Sequence, residues 1–277
     1  MSGAPRYDSI LFSLDGDVAS ITFNRPERRN ALTHAMMGEI ADALGRVRTS
    51  GAVRALVLRG SGGAFCAGGD IGAMRDLPAA PAAGDPDPLY EPYRGFGRTL
   101  MELDALAVPV ISIVDGPAVG GGFGMACCSD VVILRETARF GVPEPRAGFI
   151  PSQVLPFIAR RIGAGPLRDL AVTGRVVDAR EAYRLGIGRH LCASAMEAEA
   201  ALAGVLDDLR RNSPPAVAAV KRIARACAVA GDSEVLDAAA HELVALLRRP
   251  DTHQGMRAFL DKKLPPWARD GASGERS

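Results

Sequence analysis

The sequence predicts an α/β fold that continues into a helical C-terminal region. Short apolar runs at residues 55–59, 110–114 and 131–134 are typical of strands in a sheet that is covered on both faces. Thr33 precedes apolar residues at helical spacing, which predicts a helix that packs on this sheet. From residue 153 onward the pattern is mostly helical.

The first elements are predicted to form a hairpin. Residues 10–14 and 18–23 have strand-like composition and flank an Asp-Gly-Asp turn at 15–17, which is typical of tight hairpins. The helix over 33–47 follows. It places five apolar side chains on one face: Met36, Met37, Ile40, Leu44 and Val47.

Residues 75–93 have a different composition, with five prolines and little periodicity. They are predicted to form a loop. Two interpretations are open: a mobile lid over a site, or a tolerated surface insertion.

The C-terminal region is predicted to contain a series of helices. Their ranges are 153–163, 166–173, 178–186, 196–212, 215–229, 234–248 and 252–262. The last three are set apart by breaks at 213–215 and 231–232, so we divide the chain into a catalytic core, 1–200, and a helical oligomerisation region, 201–277. The apolar face around Leu236 and Leu243 predicts burial against another subunit.

The composition excludes several classes of protein. The chain of 277 residues is 48% hydrophobic and 23% charged, with a formal net charge of +1. Such a balance argues against a dedicated nucleic-acid binder, and the apolar content argues against extensive disorder. No apolar run reaches the length of about 20 residues that a membrane span needs. Five cysteines without paired spacing and an N-terminus without an apolar core favour a cytoplasmic protein.

Two glycine-rich turns carry the chemistry that the sequence suggests. They span residues 64–71 and 115–124, and each follows a predicted strand and opens a helix. Such turns leave backbone N–H groups without intrahelical partners. Two of these groups aimed at one oxygen would form an oxyanion hole, which stabilises an enolate or a tetrahedral anion. The second turn has Met125 where a dinucleotide-binding fingerprint needs glycine, and no metal-binding motif is present, so we expect neither a cofactor nor a metal.

Four motifs, in order, resemble the crotonase superfamily of enoyl-CoA hydratases and isomerases. They lie at residues 24–32, 65–71, 116–130 and 140–151, and the likeness runs from about residue 6 to 267. The resemblance implies a spiral core of ββα units, a CoA thioester substrate and C-terminal helices that mediate homotrimers or homohexamers. Within the superfamily, the chain is similar to the isohexenylglutaconyl-CoA and methylglutaconyl-CoA hydratases, which implies a role in lipid or terpenoid catabolism.

The resemblance also implies roles for individual residues. The N–H groups of Gly69 and Gly121 would form the oxyanion hole, and Glu144 would be the acid–base residue. Another set of positions would contact CoA. Arg28 or Arg29 would bind its phosphates, and the Cys66 and Ala67 carbonyls would accept from its adenine. Lys262 or Lys263 would reach a phosphate of a CoA bound to the same or a neighbouring subunit.

One position departs from the family pattern. Typical hydratases of the superfamily carry a second glutamate where this chain has Gly124. We expect Gly124 to leave room in the substrate pocket for a branched acyl group, a carboxylate or a water, although simple loss of the residue is an alternative. Arg146 is a candidate partner for a substrate carboxylate.

Three functions follow from these residues. The first is a hydratase, a lyase that adds water to a branched or carboxylated 2-enoyl-CoA. The second is an isomerase in which the single carboxylate of Glu144 moves a proton between two carbons. The third is a catalytically silent protein that only binds acyl-CoA.

Overall fold

The computed structural model describes residues 6–74 and 78–268. The strands are β1 (Ile10–Asp15), β2 (Val18–Phe23), β3 (Ala55–Gly60), β4 (Val110–Val114), β5 (Pro117–Val119), β6 (Val131–Arg135), β7 (Arg139–Gly141), β8 (Val176–Asp178) and β9 (His190–Cys192). The helices are α1 (His34–Thr49), α2 (Tyr90–Asp104), α3 (Gly121–Cys127), α4 (Leu155–Ile162), α5 (Ala164–Thr173), α6 (Ala179–Arg184), α7 (Ala195–Arg211), α8 (Pro214–Ala226), α9 (Asp232–Leu247) and α10 (Pro250–Leu260). The predicted hairpin, the helix after Thr33 and the helical C-terminal half are confirmed.

The strands form two sheets, and consecutive strands of the chain alternate between them from β4 to β7. The large sheet has the order β1-β2-β3-β4-β6-β9, and the small sheet has the order β5-β7-β8. β4 and β6 each belong to the large sheet, and the strands that follow them, β5 and β7, belong to the small one. α3 follows β5, and a 3-10 turn (Glu144–Ala147) follows β7, so the chain repeats a ββα unit. This repeat confirms the spiral core.

Both faces of the large sheet are covered, as the continuous apolar strands predicted. Leu56 and Leu58 of β3 point into the main core, whereas Ala55 and Val57 join a second cluster on the opposite face. α7 covers this second face. The boundary predicted at residue 200 therefore falls inside a helix that packs on the sheet, and the helices beyond the sheet begin with α8.

The sequence did not predict α2 or the short strands β5, β7, β8 and β9. α2 contains Pro92, Gly95 and Gly97, which lower helix propensity, and its packing overrides that preference. Residues 75–77 of the predicted loop lie outside the described residues. Residues 78–89 are irregular, and 90–93 form the first turn of α2.

The C-terminal helices expose large apolar side chains. Leu236 and Leu243 of α9 are 69% and 56% exposed, and Phe259 of α10 is 83% exposed. α8 is tied to the core through Lys221, whose ammonium group donates to the Val108 carbonyl at 2.8 Å. Within the described ranges, no helix combines the length and apolar character that crossing a bilayer requires.

Candidate active site

A cavity of about 380 Å³ lies where the two glycine-rich turns meet. Its walls come from the starts of α1, α2 and α3 and from the segments that follow β3 and β7. The lining is mostly apolar and includes Leu32, Met37, Phe96, Phe149 and Val154. A mostly apolar cleft with few polar groups is typical of small-molecule binding.

Backbone pairing brings the two turns into contact. The Cys66 N–H donates to the Pro117 carbonyl, and the Val119 N–H donates back to the Cys66 carbonyl, both at 2.9 Å. Gly68 has a φ of +90°, and a side chain there would lie 3.0 Å from the Val119 carbonyl oxygen. Only glycine therefore allows this close approach without strain.

Gly69 and Gly121 place free N–H groups at the junction of these turns. Both residues line the cavity, and neither N–H donates to an acceptor within the described part of the chain. A side chain at Gly68 would lie 3.7 Å from the Gly121 nitrogen, so the two segments are in contact. The structure thus brings the two predicted oxyanion donors to one cavity.

Glu144 contributes a carboxylate to the same cavity. It opens the 3-10 turn after β7, and its carboxyl group lies directly against the Cα of Gly120, where a side chain would overlap Oε1. Oε2 is buried and has no hydrogen-bond partner among the described groups. Burial raises the pKa of Glu144, and a backbone hydrogen bond partly opposes that shift. A carboxyl group with these properties is suited to proton transfer.

Gly124 does not leave open space, which corrects the prediction made for this position. Gly124 is buried and is not part of the cavity lining. A side chain there would overlap Val154, whose Cβ would be only 2.6 Å away. Val154 occupies the room that the glycine provides, and Val154 itself lines the cavity.

Of the two residues predicted to contact adenine, Ala67 lines the cavity and Cys66 does not. Ala67 lines the cavity, and its N–H donates to the Arg29 carbonyl at 3.0 Å. Cys66 is fully buried, and its carbonyl accepts the Val119 N–H, so it cannot reach a ligand. The prediction for Cys66 is wrong because this carbonyl holds the two turns together.

The predicted phosphate ligands lie outside the cavity. Arg28 and Arg29 are exposed and sit next to Ala67 through the Arg29 carbonyl, at the edge of the site. Lys262 and Lys263 are exposed beyond α10, and neither lines the cavity of its own chain.

The structure adds His34 and Gln153 to the cavity lining, and sequence reasoning assigned neither of them to the site. The rings of His34 and Tyr93 meet edge to face at 6.3 Å between centroids, and both line the cavity. Gln153, the neighbour of Val154 in the chain, also lines the cavity. His34 directly follows the α1 cap at Thr33, but its role depends on α2, which the sequence did not predict.

Asn30 fixes the segment 25–29 against the start of the first glycine-rich turn. Its side chain is buried, accepts the Arg25 N–H at 2.8 Å, and donates to the Ser61 and Ala64 carbonyls at 2.9 and 2.8 Å. Its φ of 57° lies in the left-handed region, which asparagine tolerates better than most residues. Asn30 therefore positions the backbone that leads to the cavity.

Replacing Asn30 with Ala is expected to lower the free energy of unfolding by about 3 kcal/mol, because one buried and two partly buried backbone groups lose their partner. Denaturant unfolding measures this change. Asn30→Gly is the matched control: it loses the same hydrogen bonds but relieves the left-handed strain, so it should be more stable than Asn30→Ala by about 1 kcal/mol. Equal unfolding midpoints for wild type and Asn30→Ala would contradict this role.

Comparisons with known proteins agree with this geometry. The sequence model of the enoyl-CoA hydratase/isomerase family matches residues 14–270. Crotonyl-CoA hydratase of Syntrophomonas wolfei is 33% identical over 267 residues, which cover 93% of this chain and 96% of that protein.

Two solved structures have similar folds over nearly their whole length. An enoyl-CoA hydratase/isomerase from Marinobacter aquaeolei is 37% identical with a TM-score of 0.88, and the match covers 94% of this chain and 99% of that one. Pseudomonas aeruginosa AtuE is 40% identical with a TM-score of 0.88, and the match covers 95% and 100% of the two chains.

Proposed function

Because the chain belongs to the enoyl-CoA hydratase/isomerase family, we propose that it adds water across the 2,3 double bond of a 2-enoyl-CoA. One observation carries this proposal. The buried carboxylate of Glu144 faces the same cavity as the free N–H groups of Gly69 and Gly121. A base beside an oxyanion hole matches a reaction in which a thioester passes through an enolate.

The chemistry balances with a single carboxylate. Glu144 removes a proton from water while the water oxygen bonds to C3, and the electrons of the double bond move onto the thioester oxygen. Gly69 and Gly121 stabilise that oxygen as an enolate. The protonated Glu144 then returns its proton to C2, the thioester carbonyl re-forms, and the product is a 3-hydroxyacyl-CoA.

The cavity lining supports an uncharged acyl chain. Apolar side chains make up most of the wall, and His34 is the only basic residue among the described lining residues. Arg146, the predicted partner for a carboxylate, is exposed and lies against Gly174 instead. The alternative is a carboxylated glutaconyl-type chain, which the subgroup resemblance implies. Its carboxylate would need a cationic partner from outside the described lining residues.

The isomerase remains the second candidate for a specific structural reason. Val154 stands where typical hydratases place a second carboxylate, and one carboxylate suffices to move a proton from C2 to C4. In that reaction Glu144 removes the C2 proton of a 3-enoyl-CoA, and the same oxyanion donors hold the dienolate until C4 is protonated.

A panel of thioesters tests the proposal. The wild-type protein is incubated with a straight 2-enoyl-CoA, its 3-methyl analogue, a carboxylated analogue and a 3-enoyl-CoA, and products are identified by mass spectrometry and chromatography. We expect the 2-enoyl substrates to gain one water, with the 3-methyl analogue preferred. Conversion of the 3-enoyl-CoA without water addition would favour the isomerase. Binding of all four without turnover would favour a silent acyl-CoA-binding protein.

The CoA moiety is proposed to lie along the Ala67 edge of the cavity. The exposed guanidinium groups of Arg28 and Arg29 would bind its phosphates there, and arginine suits phosphate because its donors form a fixed fork. Lys262 or Lys263 of a neighbouring subunit would add a further charge.

Assembly into a trimer or hexamer is proposed on the C-terminal helices. Leu236, Leu243 and Phe259 are more than half exposed in the single chain, and burial of such side chains stabilises an interface.

A further inference from the structure

We propose that Val154, seated on Gly124, sets the width of the acyl cavity and so determines which thioesters the site accepts. The inference rests on the proposed function, because it assumes that the cavity holds the acyl chain. It assigns a specificity role to Val154, which the sequence did not single out. The argument depends on how Val154 contacts α3 on one side and the cavity on the other.

The Val154 side chain fills the space that a side chain at position 124 would need. A side chain at Gly124 would overlap Val154 Cγ1 and would lie 2.6 Å from its Cβ, far inside ordinary carbon–carbon contact. Val154 is 2% exposed and lines the cavity. Even a methyl group at position 124 would therefore act on the cavity through Val154, by displacing it from α3.

The backbone of Val154 cannot move away easily. Its carbonyl accepts the Phe157 and Ile158 N–H groups, both at 3.1 Å, at the start of α4. Valine is branched at Cβ and has few alternative rotamers. A group added at Gly124 would thus push the Val154 side chain toward the ligand rather than move the segment as a whole.

The neighbouring residue is seated in the same way. Gln153 lies against Gly97 of α2, where a side chain would overlap Oε1 and lie 3.1 Å from Cδ. Both Gln153 and Val154 line the cavity, and each rests on a glycine of a different helix. Because Gly97 and Gly124 have no side chains, Gln153 and Val154 pack close to α2 and α3. This packing leaves space in the cavity for a wider acyl chain.

Three variants test the pair. Gly124→Ala pushes Val154 inward, Val154→Ala widens the cavity, and the double variant adds one methyl group while removing two. The measured quantity is kcat/KM for a 3-methyl 2-enoyl-CoA divided by kcat/KM for its straight analogue. We expect Gly124→Ala to lower this ratio about tenfold, Val154→Ala to raise it, and the double variant to restore at least the wild-type ratio.

Gly38→Ala is the matched control. Gly38 lies in α1, and a side chain there would meet nothing within 4 Å, so the ratio should stay unchanged. An equal loss on both substrates in Gly124→Ala, without rescue by Val154→Ala, would show a purely structural effect and overturn the proposal.

A binding measurement separates this inference from the proposed function. Calorimetry with saturated branched and straight acyl-CoA compounds reports cavity width without any turnover. If the wild type hydrates nothing but the branched-to-straight affinity ratio follows the three variants as above, the function is wrong and the specificity role stands. If hydration occurs but neither ratio responds, the role of Val154 is overturned while the function stands.

Discussion

Replacing Glu144 with Gln is expected to lower kcat/KM for hydration by about 10²–10⁴-fold, the usual contribution of a general acid–base group. Gln keeps the shape of the side chain but cannot accept and return a proton. Affinity for a saturated acyl-CoA should change little, because no charge on Glu144 is needed for the apolar chain. Steady-state kinetics and calorimetry on the same variant separate the two effects.

Asp70 provides the matched control for Glu144. It also lines the cavity, but its carboxylate is paired with Arg25 at 3.1 Å and accepts the Gly72 N–H at 3.1 Å. Both oxygens of Asp70 therefore have partners, whereas Glu144 Oε2 has none among the described groups. Asp70→Asn should therefore cost far less activity than Glu144→Gln, and an equal loss would contradict the single-carboxylate mechanism.

The raised pKa of Glu144 also predicts how stability and rate depend on pH. Burial favours the protonated form in the folded protein, so the folded state binds more protons than the unfolded chain and stability falls as pH rises. Glu144→Gln does not titrate at this position and should gain thermal stability over the wild type at pH 7–8. The gain should vanish on acidification below the ordinary glutamate pKa of about 4.3.

The kcat/KM for hydration should rise with pH, whereas the stability of the fold falls. Glu144 must be ionised to accept a proton from water, so kcat/KM should rise with pH through the raised pKa of the free enzyme. An acid limb at or below the ordinary glutamate pKa would argue that another group acts as the base.

Local sequence patterns predicted the elements that depend on near neighbours. The hairpin and α1 follow from a turn, a cap and a spacing within a few residues, and the Thr33 hydroxyl accepts the Met36 N–H as the cap predicts. α2 depends on tertiary packing instead. Its glycine Gly97 reflects the approach of Gln153, which lies more than 50 residues away in the chain.

The candidate site was predictable as a set of motifs but not as a set of contacts. Gly69, Gly121 and Glu144 line one cavity, where the motifs led us to expect them. The prediction for Cys66 failed because strand pairing uses that carbonyl and leaves the one beside it, in Ala67, available. The space at Gly124 was misassigned because Val154, 30 positions further along the chain, occupies it.

Removing the Gly121 N–H is expected to lower kcat by about 10²–10³-fold, the cost of one oxyanion donor. Gly121→Pro achieves this removal because proline has no N–H. Gly121 is the first residue of α3, where proline is well tolerated, and Gly120 before it has a non-helical backbone that does not oppose a following proline. Circular dichroism and thermal unfolding check that the fold survives.

Gly121→Ala controls for the Cβ that both variants add. A Cβ at this position would lie 2.7 Å from Leu32 Cδ1 and 3.2 Å from Phe96 Cζ, the ends of side chains that can shift. Both variants introduce that Cβ, but only Gly121→Ala retains the donor. Because the donor acts mainly on the charged enolate, the proline variant should lose kcat relative to the alanine variant. The proline ring also puts Cδ in place of the N–H hydrogen, so its KM should rise as well. Equal kcat values in the two variants would exclude the Gly121 N–H as an oxyanion donor and leave Gly69 to be tested as the principal one.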